Sequence, residues 1–284
     1  MSPPNKRTAT LIGSTAILMW GLLALFTTLT GKVPPFLLAG LAFGTATALI
    51  AAKWLVRREN VITHLKQPLG AWAVGVIGLF GYHFFYFMAL RNAPPVEAGL
   101  IAYMWPLLIV LFSALLPGER LRWFHLAGTL AGLAGAGFKS EFTLGYVMAV
   151  CCALTWSSYS VINRRFGHVP TDTVGGFCAA TAVLAALCHM AFETTVWPAD
   201  TGEWIAVLGL GLLPVGLAFF AWDHGTKHGD IRVLGAFAYA APLLSTVILI
   251  SFGKGEATWA VAAGCLLIVG GAVLAAKEML FPKT

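Results

Sequence analysis

Charge is scarce in this 284-residue chain. Charged side chains make up 11% of it, against about 25% in an ordinary soluble domain, and that shortage excludes most soluble folds. The chain also lacks a run of like charges that would suit nucleic acid, a polar low-complexity tail, and a polar stretch long enough for a soluble catalytic domain. Its five cysteines, Cys151, Cys152, Cys178, Cys188 and Cys265, show no Cys-x-x-Cys spacing, which removes the usual zinc and redox readings and leaves small buried apolar residues. There is no His-Glu-x-x-His pair, no Gly-x-Ser-x-Gly elbow and no pair of facing mid-membrane aspartates. An enzyme is therefore not expected, nor a metal or organic cofactor. Asp223-His224 comes nearest to catalytic chemistry, at a helix end and without a third group.

What the chain has is apolar surface: 58% hydrophobic residues and a mean hydropathy of +0.81. At about 20 residues per span, the apolar runs predict ten transmembrane helices near 8–30, 34–56, 69–91, 94–116, 121–138, 143–163, 172–193, 203–223, 231–252 and 257–279. The expected fold class is an all-α integral membrane protein. Lys6-Arg7 followed by an apolar run resembles a signal peptide, but the run is too long and lacks an Ala-x-Ala exit, so the first span is expected to stay on the chain.

With the N-terminus in the cytoplasm, fourteen of the 18 Lys and Arg residues fall on that side; only Lys32, Arg91, Lys139 and Lys254 fall on the other. That asymmetry predicts an inner-membrane protein with both termini cytoplasmic. Seven of the ten tryptophans, Trp54, Trp72, Trp123, Trp197, Trp204, Trp222 and Trp259, are expected near helix ends as headgroup anchors; Trp20, Trp105 and Trp156 are expected at mid-depth.

Sliding the chain against itself by 136 residues superposes Trp20 on Trp156, Pro34 on Pro170, Gly99 on Gly235, Tyr103 on Tyr239 and Pro106 on Pro242. Shared Trp, Tyr and Pro at one offset indicate a duplication, with halves 1–138 and 139–284. Five spans per half is an odd number, so the halves have inverted topology, as alternating-access carriers do.

Pro106 and Pro242 are expected mid-helix, where each removes an N–H and leaves the carbonyl four residues back, Ala102 or Ala238, without its helical donor. Such carbonyls need a polar or water-lined setting in a bilayer, which places a candidate substrate cavity beside both kinks. Tyr103 and Tyr239 lie on the same faces. Tyr82, His83 and Tyr86 on the third span, Trp156, Tyr159 and Asn163 on the sixth, with Trp20 and Trp105, complete an aromatic cavity. None of the twelve acids lies at the centre of a span, so Glu97 and His83 are the candidates for proton coupling. The missing deep carboxylate argues against a cation exporter and for a net-neutral solute, a zwitterion included, with weakly coupled or uncoupled transport. Gly128 and Gly132 form a Gly-x-x-x-Gly step read as packing within a monomer, with a dimer face as the alternative.

Three segments carry a family resemblance: Ala102-Tyr103-Met104-Trp105-Pro106, Ala153 to Asn163 around Trp156-Ser157-Ser158-Tyr159, and Ala221 to Asp230. With the five-plus-five repeat they resemble the drug/metabolite transporter superfamily, and more narrowly its bacterial aromatic amino acid exporters. That branch typically has Asn-Tyr-Leu-Trp-Pro in the first segment, where this chain has Ala102 and Met104. The resemblance implies export of Phe, Tyr, Trp and other neutral amino acids, side activity on methyl viologen-like compounds, and a cavity framed by helices 1, 3, 4, 6, 8 and 9. An aromatic substrate would stack among Tyr82, Tyr103, Trp156 and Tyr239, its ammonium on the carbonyls of Ala102 and Ala238 or in a cation–π contact. A proton-coupled drug or toxic-cation exporter, a nucleotide-sugar or phosphorylated-metabolite carrier and a static membrane scaffold are the competing readings.

Overall fold

The computed structural model describes residues 5–93, 95–113 and 144–254. Every regular element among them is helical. The expected fifth and tenth spans lie outside the described residues, as do Trp123, Trp259 and the Gly128/Gly132 step.

Among the described residues six helical stretches are long and apolar enough to cross a membrane: Lys6–Leu29, Pro35–Val56, Leu69–Asn92, Leu144–Phe166, Thr171–Phe192 and Thr201–His228. The first comprises α1 (Lys6–Gly21) and α2 (Leu23–Leu29). Asn5 caps α1 by accepting from the Arg7 N–H at 2.9 Å, satisfying one of the donors that a helix start leaves open. The second span is α3 (Pro35–Val56), which Pro35 starts from its first position; a short α4 (Val61–Leu65) follows.

The third span is not a uniform helix. It begins as α5 (Leu69–Val76), widens into a π-helical turn at Ile77–Gly81 and continues as α6 (Tyr82–Asn92). The same happens 136 residues later, where α11 (Thr201–Leu212) passes through a π-turn at Leu213–Leu217 into α12 (Ala218–His228). Between these lie α9 (Leu144–Ile162) and α10 (Val174–Phe192).

The expected fourth and ninth spans are each broken in two. α7 (Pro95–Ala102) ends at a turn over Tyr103 and Met104 before α8 (Trp105–Ser113). α13 (Ile231–Phe237) ends at a turn over Ala238 and Tyr239 before α14 (Ala240–Ser251). This corrects the mid-helix placement of the prolines: Pro106 is the second residue of α8 and Pro242 the third of α14, positions where a missing N–H costs little. The Ala238 carbonyl is not open either, because it accepts from the Ala241 N–H at 3.1 Å. Among the described residues no hydrogen bond reaches the Ala102 carbonyl.

Two close crossings hold the bundle. α1 meets α12 where a Cβ on Gly13 would stand 2.8 Å from the Gly225 Cα, and Lys6 pairs with Asp230 at 2.8 Å at the end of that seam. α9 meets the end of α6 where a Cβ on Gly145 would lie 2.4 Å from the Ala93 Cβ. Only glycine admits these approaches.

Candidate functional site

A cavity with about 480 Å³ of empty space, counted out to its open side, lies between the start of α6, the π-turn at Leu213–Leu217 and the two broken helices. Aromatic rings make most of its wall. Trp20 of α1 stands at the centre of an indole cluster, 5.9 Å from Trp105, 5.7 Å from Trp156 and 5.0 Å from Trp222 between ring centroids. Tyr82 reaches Trp156 at 5.3 Å, and His83 stands edge-on to Tyr82 at 5.1 Å and to Phe43 at 5.0 Å. Edge-to-face contacts of this kind hold each ring where it is, since the positive edge of one meets the negative face of the next.

Of the residues expected from sequence, Trp20, Tyr82, His83, Tyr103, Trp105 and Trp156 line the cavity. Tyr103 is 38% exposed, the most open ring among them. Others fall outside the lining. Tyr86 lies parallel to Tyr82 at 6.1 Å and backs it. Tyr159 is buried against Trp156, 5.1 Å away. Ala102 and Ala238 are buried in packing, and Tyr239 is half-buried outside the wall. Glu97 belongs to α7, and its side chain, like that of Pro242, lies outside the described residues.

Asn163 is the clearest correction. Its amide donates to Asp223 Oδ1 at 2.9 Å and to Thr226 Oγ1 at 3.2 Å, inside a buried network that is not part of the lining. Asp223 also accepts from Thr171 at 2.8 Å and pairs with Lys227 at 2.9 Å, both charges having almost no exposed surface. Asp223 was expected at a helix end without a third group; α12 continues to His228 and buries it among four. Trp222, expected as a headgroup anchor, is fully buried in the indole cluster and donates to Ser160 Oγ at 3.1 Å. Trp54 is buried too, stacked on His64 at 5.4 Å.

Leu23, Pro214, Val215, Phe219 and Ala241 complete the lining and were missed. An apolar residue in an apolar helix carries no mark in the sequence. One signal was present: Phe219 stands 136 residues after His83 and Ala241 after Trp105, so the repeat points to both.

Each π-turn supports the wall through a carbonyl. Trp20 Nε1 donates to the Pro214 carbonyl at 3.0 Å, and His83 Nδ1 lies 2.7 Å from the Leu79 carbonyl. A π-turn shifts the backbone ladder by one residue and leaves a carbonyl open to a side chain. Among the described residues lining the cavity there is no Asp, Glu, Lys or Arg. The one grouping with metal-ligand spacing among the described residues, Glu59, His64 and Asp172, lies elsewhere and has Lys53 paired into it, with Nζ reaching both Asp172 and Glu59, so an ammonium already supplies its positive charge.

The EamA-like transporter family matches residues 7–139 and again residues 143–277. The chain belongs to that family. Within it, the chain is similar to the aromatic amino acid exporter YddG of Ancylobacter novellus, 55% identical over 282 residues that cover 95% of this chain and 98% of the relative. The exporter of the same name from Escherichia coli K12 is 22% identical, covering 95% of this chain and 97% of its own length. A solved crystal structure of a protein 56% identical to this chain matches the fold with a TM-score of 0.87, over 95% of this chain and 98% of that one. As an EamA-like transporter the chain is a multi-pass membrane protein and not an enzyme.

Proposed function

We propose that this protein exports aromatic and other neutral amino acids from the cytoplasm by alternating access through the aromatic cavity. The observation that carries this reading is a cavity walled by indole and phenol rings with, among the described residues, no acidic or basic side chain besides His83, in a chain 55% identical to a named aromatic amino acid exporter. A ring-walled site gains affinity by stacking a substrate ring, and without a fixed counter-ion it suits a solute of zero net charge.

The carrier is read as two inverted five-helix halves, 1–138 and 139–284, with ten spans and both termini cytoplasmic. Four observations support the duplication. The family matches twice, with starts 136 residues apart. The two π-turns stand at that spacing. The broken helices fall at corresponding places. Gly13 and Gly225 of one seam correspond to Ala149 and Ala89, which share one buried cluster in the other. Exchange between states would rock α1 against α12 and α6 against α9, with the π-turns and helix breaks as the bending points. The absence of a cavity carboxylate among the described residues favours uncoupled transport over a proton-driven cation exporter.

The test is uptake of radiolabelled phenylalanine into proteoliposomes holding the purified protein, without an ion gradient. Saturable uptake suppressed by unlabelled Tyr and Trp is expected. Uptake that starts only under a pH gradient would overturn the uncoupled mechanism, and no uptake under either condition would return the scaffold reading.

A further inference from the structure

Among the described residues, the hydrogen-bonding side chains of the cavity wall are the indoles of Trp20, Trp105 and Trp156, the phenols of Tyr82 and Tyr103 and the imidazole of His83, with no Asp, Glu, Lys or Arg. Of the four clustered indoles, Trp20 donates to the Pro214 carbonyl and Trp222 to Ser160. The Nε1–H groups of Trp105 and Trp156 find no acceptor among the described residues, and both rings line the cavity. His83 supplies the opposite polarity. A carbonyl can only accept, so the Nδ1 that faces Leu79 carries the hydrogen, and a neutral imidazole then keeps its lone pair on Nε2. That nitrogen has no protein donor among the described residues, and no ion pair found among them involves His83.

The repeat sharpens this inventory. The residues 136 positions after Tyr82, His83 and Trp105 are Ala218, Phe219 and Ala241, and Phe219 and Ala241 line the same cavity. One half thus presents hydrogen-bonding atoms where the other presents an apolar surface, and Trp156 adds its N–H from the second half.

We propose that the substrate ammonium donates to Nε2 of His83 while its carboxylate accepts from the indole N–H groups of Trp105 and Trp156, with its side chain against Phe219, Val215 and Ala241. This rests on the amino acid reading above and deepens it to recognition of a zwitterion by neutral partners alone. The physical advantage lies in the empty carrier. A cavity that must reorient without substrate would strand any fixed counter-ion in a low-dielectric interior, whereas neutral donors and acceptors there carry a far smaller desolvation cost.

The experiment measures equilibrium binding to the purified full-length protein of three ligands: phenylalanine, phenethylamine, which lacks the carboxylate, and 3-phenylpropanoate, which lacks the ammonium. His83→Phe keeps a ring of the kind found at Phe219 and removes the acceptor. It is expected to weaken phenylalanine and phenethylamine at least about tenfold and to leave 3-phenylpropanoate unchanged, which also reports that the variant is folded. His83→Gln, with an amide oxygen to accept, should recover part of the loss. Trp105→Phe and Trp156→Phe should show the opposite pattern, weakening phenylalanine and 3-phenylpropanoate but not phenethylamine. Equal loss of all three ligands in every variant would overturn the proposal, because it would mean packing alone. If the parent binds phenylalanine and His83→Phe leaves that affinity unchanged, this inference fails while the aromatic reading stands; if the parent binds none of the three, the aromatic reading itself fails.

Discussion

α3 runs unbroken from Pro35 to Val56 beside α10, and the pair is tied at both ends. At one end Glu193, with 1% of its side chain exposed, accepts from the Phe36 and Leu37 N–H groups at 2.9 and 3.1 Å and pairs with Arg91 and His189. At the other, Lys53 binds Asp172. The cavity helices have two π-turns and two breaks instead, and their contacts at the site are rings and glycines. A membrane helix is stiff where its backbone ladder is complete and its ends are fastened, and it can bend where the ladder is interrupted and the freed carbonyls find side chains. In the proposed transport cycle α3 and α10 would be the frame and the interrupted helices the moving parts.

Removing the frame's anchor should have the largest effect. Glu193→Ala strips two N–H groups, the Arg91 guanidinium and the His189 imidazole of a buried carboxylate, and a loss of about 3 kcal/mol is expected, read as thermal unfolding in detergent, with phenylalanine affinity in the surviving fold unchanged. Tyr82→Ala should do the reverse, weakening phenylalanine binding about tenfold while the melting temperature moves little; a large drop in melting temperature would place Tyr82 in the frame. Pro106→Ala lets the chain close the break before α8, and slower turnover at unchanged affinity is expected from single-turnover transport. An unchanged rate would remove the breaks from the moving parts.

The far clamp is weaker. Lys53 is 32% exposed, so Lys53→Met should cost less than about 1 kcal/mol, measured in the same melts. Smallest of all is the acid response at the seam of α1 and α12. Burial would raise the Asp230 carboxyl, but Lys6, Arg232 and the capped N–H outweigh it and hold the pKa below the ordinary 3.8. A lowered folded pKa means that its stabilisation is fully present above the ordinary value and is lost as pH falls through the folded one. Lys6→Met should flatten that acid limb of the melting curve.

The long spans were legible because charge is scarce and apolar runs are punctuated by Lys, Arg and Pro. The breaks were half legible. Pro106 and Pro242 marked them, but a proline near a helix start and one at a kink look alike in sequence, and only the turn at Ala238 and Tyr239 shows that the Ala238 carbonyl is taken. The indoles Trp20, Trp105 and Trp156 were legible as apolar groups at mid-depth. Asn163 misled because a polar residue on an aromatic face has two destinations, substrate or buried network, and Asp223 decided between them from 60 positions away.

By itself the sequence determined the membrane as the solvent of this protein and the aromatic character of its interior, and it predicts the direction of its spans and its duplication, since these follow from composition, charge placement and repeat spacing along one dimension. Tertiary structure alone decided which rings face the cavity, which indole N–H groups are engaged and which tautomer His83 holds. Those depend on which carbonyl a neighbouring helix brings within hydrogen-bond distance, and distances across a bundle are set by packing between residues far apart in the chain.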